Sequence, residues 1–518
     1  MLPEFAGKLA RIVMSNSSRI AKNTLALYFR QILIMLVSLY TVRVVLNTLG
    51  AEDYGIYNVV AGVVTMFGFL SGAMATASQR FFSFEMGRKN EAGLPHIFSV
   101  ILTIYAFLSA VIVIFAETLG LWFVCNKLVI PLERLAAAKW IYQCAVISFL
   151  FTLMTTPYMS AIIAHENMSI YAYVSIAEAV LKLAVAFVLK IAVADKLILY
   201  GILLLFVAAI NTGLYRFYCR RHYKECRFRL SWDKKLFSGM FSYVGWNLFG
   251  SSVGVFKNQI VNILLNQFFG SLANAARAIA SQVSAAVTSF SQNFSTAIRP
   301  QIIKTYAAEQ KEECLSLTFR GCRMTFFLMY IFTLPLALEM PFVLDVWLKN
   351  PPENAVIFAR LVLIDALVDS VSYPIMTLAQ ATGKIKLYQS VVGGILLMNL
   401  PASYVCLKCG LPAYSVLVVA ICITFIAFVV RLFIIKALTD FSIRSFLMSV
   451  CLPIFAVAVL SAVVPVAARY FIKDKILNFI CVVFLSVAFT SVSVLFVGMN
   501  KSERVSVLNM MRRRIFNA

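Results

Sequence analysis

Charged side chains stand inside long apolar stretches of this 518-residue chain: Arg30, Arg43, Lys182, Lys257, Arg277 and Arg360, with Glu178, Asp365 and Asp369. In hydrocarbon each would cost roughly 2.5–3.5 kcal/mol at a helix centre, so each is expected to face protein or water. The balance is positive, which suits an anionic cargo. Asp365 and Asp369 are one helical turn apart. Two such carboxylates at low dielectric resist double ionisation, which makes them candidates for carrying a coupling ion unless Lys257 or Arg360 neutralises them. Glu178 and Lys182, spaced i,i+4 in the favourable order, read as an internal ion pair. Arg43 shares a helical face with Tyr40 and Asn47 and reads as a cavity residue. Arg30, about 140° around that helix, reads as a snorkelling cation. Arg277 and Arg360 lie near an outer boundary, as cavity cations or as anchors.

Two segments carry polar stripes. In 272–299, Asn274, Arg277, Ser281, Ser284, Thr288, Gln292, Ser295 and Arg299 fall within roughly 80° of one another on a helix. In 237–268 the stripe is Asn247, Ser251, Gly254, Asn258, Asn262 and Asn266, with Lys257 at its edge. Small hydroxyl residues alone would serve helix packing. The amides and terminal arginines point instead to a water-filled track. The expected cavity-lining set is therefore Arg43, Lys257, Arg277, Asn258, Asn262 and Gln292, with Arg299 ending the 272–299 stripe and Arg80 at the matching position of the second span.

The elements that must hold these residues are membrane spans. Apolar residues make up 61% of the chain and charged residues 13%, against about a quarter charged in a soluble domain. Runs of roughly 20 apolar residues recur. We place about 14 spans near 23–49, 54–82, 97–123, 138–163, 169–192, 197–219, 237–268, 272–299, 315–340, 355–381, 387–408, 413–437, 445–468 and 476–500. The first 22 residues are polar and basic without a cleavage site after the first span, which predicts an anchor. With both termini in the cytoplasm, inside segments collect 28 Lys/Arg and outside segments 10. Much of the formal charge of +23 is thus a topology signal. Arg512, Arg513 and Arg514 are expected against anionic lipid. Trp122, Trp140 and Trp347 fall at outer boundaries and Trp232 at an inner one.

The basic loop 216–235 separates two similar groups of six spans. Asn47 precedes Arg80 by the same 33 residues as Asn266 precedes Arg299, and Gly50 and Gly270 follow the two asparagines. Pro157 precedes Tyr171 by the same 14 residues as Pro374 precedes Tyr388. An even number of spans per half makes the repeats parallel, the arrangement in which transporters place substrate between rocking halves. The expected organisation is a cytoplasmic segment 1–22, lobes 23–220 and 237–437 joined by linker 221–236, two additional helices within 438–500, and a basic tail 501–518. The fold class is an all-α polytopic membrane protein with two parallel six-helix lobes around a central cavity.

A soluble enzyme and a disulfide scaffold are excluded by composition, and nucleic acid is not an expected partner. No loop exceeds about 20 residues, and no zinc signature, phosphate-binding glycine loop or nucleophile elbow occurs. His96, His165 and His222 fall in separate predicted cytoplasmic loops, and Cys406 and Cys409 form a lone, incidental pair. No enzyme activity, metal or cofactor is expected. The energy source would be a proton or sodium gradient or the membrane potential.

The segments RVVLNTLGAEDYGIYNVV (43–60), LLNQFFG (264–270), RPQIIKTY (299–306), VWLKNPPE (346–353) and ATGKIKLYQ (381–389) resemble the bacterial polysaccharide-biosynthesis flippases of the Wzx type. Those belong to the multidrug/oligosaccharidyl-lipid/polysaccharide (MOP) exporter superfamily. The likeness spans roughly residues 20–500. It implies 14 helices around a cationic cavity in the bacterial inner membrane, and an undecaprenyl-diphosphate-linked oligosaccharide moved to the periplasmic leaflet for O-antigen, capsule or exopolysaccharide. A polysaccharide polymerase and a chain-length regulator are the protein partners it implies. Two rival readings are a cation-coupled multidrug antiporter of the same superfamily and a membrane polymerase or glycosyltransferase. The first is disfavoured by the positive embedded charge and the second by short outer loops.

Overall fold

The computed structural model describes residues 2–65, 67–128, 130–227, 233–472, 474–501 and 503–505. Trp232 and Arg512–Arg514 lie outside the described residues. The described residues form seventeen α-helices and no strand. In chain order they are α1 Leu2–Thr65, α2 Gly68–Gly87, α3 Leu94–Phe115, α4 Leu121–Asn126, α5 Leu135–Ala164, α6 Met168–Ile191, α7 Lys196–His222, α8 Lys234–Ala307 and α9 Lys311–Leu348. They continue with α10 Ala355–Ser370, α11 Ser372–Thr382, α12 Ile385–Leu397, α13 Asn399–Lys408, α14 Ser415–Leu438, α15 Ile443–Phe446, α16 Leu452–Phe471 and α17 Lys475–Ser493.

Ten stretches of described residues are long and apolar enough to cross a membrane. This is a multi-pass, all-helical membrane protein, although length and apolarity alone do not reach the expected fourteen spans. The four predicted spans that fall short are helical but polar or interrupted. The second is divided between α1 and α2, and the tenth between α10 and α11. The fifth carries Glu178, Lys182 and Lys190, and the eighth carries the polar stripe. Trp122, Trp140 and Trp347 are all exposed.

The chain divides into two compact units, Ile20–Ser251 and Met1–Arg19 with Ser252–Ala518. In the first, Val60, Val64, Val124, Ile141, Tyr142 and Leu197 build a core from α1, α4, α5 and α7. Arg134 ties its loops with hydrogen bonds of 2.8 Å to both Asp53 and Asp195, and Asp195 in turn caps α7. In the second, Val261, Leu265, Ala276, Met329, Phe358, Leu363 and Val416 pack α8, α9, α10 and α14 together.

The duplication is repeated in backbone geometry. α1 and α8 each turn a corner at a single glycine, Gly50 at φ 81° and ψ 168° and Gly270 at φ 76° and ψ −168°. That region is open essentially to glycine alone. Farther on, Lys89 and Glu309 hold φ of 56° and 59°, and Glu166 and Gly383 hold 61° and 75°. The residues after the last two, Asn167 and Lys384, match to within two degrees, at φ −90°, ψ 60° and φ −91°, ψ 58°.

α9 breaks at Glu339, which sits between Pro335 and Pro341. A proline removes the hydrogen bond to the carbonyl four residues earlier. For Pro341 that is Ala337, and Arg360 Nε donates to the Ala337 carbonyl at 2.8 Å. Glu339 accepts from Asn478 at 3.3 Å and pairs with Arg469 at 3.4 Å, which fastens α16 and α17 to α9. At the opposite end of α9, Arg323 pairs with Glu503 at 2.8 Å and donates to the Ser449 carbonyl at 2.7 Å.

Candidate substrate and coupling site

The corner at Gly270 brings two stretches of α8 into one site. Lys257 and Asn258 come from the stretch before it and Arg277 from two turns after it. α10 supplies Asp365 and α14 supplies Thr424. Lys257 Nζ lies 3.2 Å from Asp365 Oδ2 and donates to Thr424 Oγ1 at 2.8 Å. Arg277 Nη2 reaches Asn258 Oδ1 at 3.4 Å. With Val261, Leu361, Val362, Leu417 and Ala420, the side chains of Lys257, Asn258, Arg277 and Asp365 line a cavity of about 20 Å3. A space of that size holds about one water.

Arg277 is only 7% exposed, and its Nε and Nη1 have no hydrogen-bond partner, nor has Asp365 Oδ1. Each unsatisfied buried donor or acceptor costs about 1–3 kcal/mol, so such groups persist where a role requires them. Two cations and one carboxylate leave the cluster with one net positive charge.

Asp365 and Asp369 do not form an isolated acid pair. Asp365 is matched by Lys257, and Asp369 accepts from the buried Arg431 at 3.1 Å. Arg431 reads in sequence as an inner-end topology cation, because nothing in the one-dimensional pattern shows α10 packing beside α14. Arg360 pairs with neither aspartate, since it caps the carbonyl freed by Pro341. Glu178 and Lys182 do form their pair, at 2.6 Å, and Asn211 adds a hydrogen bond to Glu178 at 3.1 Å. Arg30 meets α6. Its Nη1 donates to the Tyr171 hydroxyl at 3.1 Å, and its guanidinium lies 4.7 Å from the centre of that ring.

The remaining predicted site residues are not among those lining this cavity. Arg43 is exposed and makes no hydrogen bond or ion pair with the described residues. Asn262 is half-buried and Gln292 is exposed beside Tyr373. Arg80 is buried, with its guanidinium 4.5, 4.8 and 5.5 Å from the ring centres of Phe84, Phe81 and Tyr243. Arg299 is half-buried at the far end of the α8 stripe. At 1.5 Å per residue it stands about 33 Å along the helix from Arg277, so one headgroup cannot touch both. The stripe itself divides. Ser281 and Gln292 are exposed, whereas Arg277, Ser284 and Ser295 are buried.

Arg323, whose side chain is 3% exposed, carries no mark in the sequence that sets it apart from ordinary span. Nor does the sequence mark the ring stack at the end of α7. His165 stacks on Tyr223 at 4.0 Å and bonds Glu225 at 2.5 Å, while His222 stacks on Tyr218 at 4.2 Å.

A family model described as "Polysaccharide biosynthesis protein" matches residues 20–306. The chain belongs to that family. Among solved structures it is similar to an outward-facing multidrug resistance MATE family transporter of the MOP superfamily, at 11% identity and a TM-score of 0.72, over 82% of this chain and 96% of that one. It is also similar to the MATE transporter ClbM in complex with Rb+, at 13% identity and a TM-score of 0.67, over 82% and 96%. A MATE in complex with MaL6 matches at 11% identity and a TM-score of 0.69, over 82% and 97%. No curated protein matches the chain significantly. The fold is MATE-like.

Proposed function

We propose that the protein flips an undecaprenyl-diphosphate-linked oligosaccharide from the cytoplasmic to the periplasmic leaflet by alternating access, for O-antigen, capsule or exopolysaccharide assembly. It would act in the bacterial inner membrane with both termini in the cytoplasm, alongside a polymerase and a chain-length regulator. The observation that carries this reading is Arg277. A buried guanidinium with two unsatisfied N–H groups, next to a second cation, is a poor structural element and a good diphosphate ligand. The 20 Å3 space cannot admit a headgroup as it stands, so binding requires the site to open.

The driving force proposed is the membrane potential. Each anionic charge moved outward gains about 2.3 kcal/mol per 100 mV. Proton or sodium coupling through Asp365 would first have to break its pair with Lys257, and through Asp369 its bond with Arg431. A multidrug antiporter needs a free embedded acid for its cation, and here both acids already hold one.

The deciding experiment is deletion of the gene followed by leaflet-resolved extraction of polyprenyl-linked intermediates. Complete repeat units should accumulate on the cytoplasmic face while surface polysaccharide disappears. Normal arrival at the periplasmic face would refute the reading.

A further inference from the structure

The end of α7 carries a surface that the transport reading does not use. Arg216, Arg220 and Arg221 line an open groove of about 440 Å3 together with Gly213 and Phe217. Gly213, Arg216, Phe217 and Arg220 share one face of the helix, and Arg221 borders it. The three arginines are exposed, and Phe217 is 66% exposed.

No acid neutralises them among the described residues. The nearest in sequence, Glu225, is buried and held by His165, and Asp233 pairs with His96 at 3.5 Å. Lys224 and Arg227, both exposed, extend the positive surface. Arg216 and Arg220 are like charges at i,i+4, an arrangement a bare helix disfavours.

The fold does not demand this cluster. The corresponding end of the other half, α14, has Lys436 alone in its last turn. The acid that follows it, Asp440, is taken by Lys311 at 2.7 Å. Orientation in a membrane needs only positive charge, which scattered lysines supply. Three arginines on one groove supply planar forks matched to phosphate oxygens.

We propose that this groove is a headgroup site for an anionic phospholipid of the bilayer. α7 is one of the ten helices able to cross a membrane, and the arginines occupy its basic end, at headgroup depth. Phe217 projects among them, where an acyl–glycerol boundary gives an exposed aromatic a partner. A free phosphate would leave that ring in water. The site is independent of the cargo, so failure of the flippase reading leaves it standing.

The test uses the full chain in nanodiscs of phosphatidylcholine, with and without phosphatidylglycerol of the same acyl chains. Bound lipid is read by native mass spectrometry and stability by thermal unfolding. The wild type should retain phosphatidylglycerol preferentially and melt higher in its presence. Retention should fall about fivefold for each of Arg216→Gln, Arg220→Gln and Arg221→Gln, since one basic residue near an anionic surface is worth a factor of that order. Lys436→Gln should change nothing. Single variants keep the test usable if the triple variant does not insert. Unchanged retention in the inserted variants, or equal stabilisation by inorganic phosphate in phosphatidylcholine discs, would overturn the proposal.

Discussion

Lys257 and Asp365 stand 108 residues apart in the chain and 3.2 Å apart in the fold, with Thr424 as the third member of their contact. Both side chains keep some exposure, 14% and 26%. Losing one partner should therefore cost less than the 3–5 kcal/mol of a fully buried pair, about 1–3 kcal/mol. Lys257→Met and Asp365→Asn should each lower the melting temperature in detergent, and the double variant should recover most of the loss. Export separates two roles. Recovery of export in the double variant would make the pair structural, whereas the cargo reading expects export to stay low without the lysine charge.

Arg277 should behave differently. Its guanidinium is buried with unsatisfied donors, so Arg277→Met removes a cost. Melting is expected to stay unchanged or rise by up to about 1 kcal/mol equivalent while export falls, the usual trade of stability against function. Full export by Arg277→Met would sink the cationic-site model.

Gly50 and Gly270 test the shared corner. Nothing lies within 4 Å of a Cβ built at either position, so alanine would meet no steric obstacle. The backbone region is nonetheless closed to L-residues, and Gly50→Ala and Gly270→Ala should each cost about 1–3 kcal/mol in thermal unfolding. Gly254→Ala, equally uncrowded but within helical backbone, should be neutral or stabilising by about 0.5–1 kcal/mol. Equal effects at all three positions would mean the corners are unstrained.

Glu225 gives a pH dependence. Burial alone would push its carboxyl up, but the hydrogen bond from His165, a backbone hydrogen bond and the His165 charge outweigh it and hold the carboxyl below its usual range. A depressed acid contributes stability above its unfolded pKa and loses it as pH falls through the folded value. Wild type should therefore lose stability below about pH 4.5 more steeply than Glu225→Gln, measured by melting across that range. Superimposable pH profiles would remove the linkage.

Much of the fold is legible in the residues. Gly50 and Gly270, the prolines 157 and 374 and the apolar runs mark corners and helices that the structure shows. Helical periodicity placed Lys257 at the edge of a polar face, but it carries no information about which neighbouring helix fills the space opposite. That is why Asp365 emerged as one of an acid pair and Arg431 as a topology residue. The missing knowledge was the packing of α10 against α8 and α14. Arg360 was misread for a related reason. Its partner is a carbonyl orphaned by Pro341, and a backbone group leaves no mark in the side-chain pattern.

The break in α9 has a mechanical consequence. Arg360 plugs the gap from α10, while Arg469 and Asn478 hold Glu339 from α16 and α17. Four helices thus converge on one pinned joint. A bend at Pro341 cannot widen without drawing the Arg360 pin out of its carbonyl, and it cannot turn without carrying the Glu339 lever and the last two helices with it.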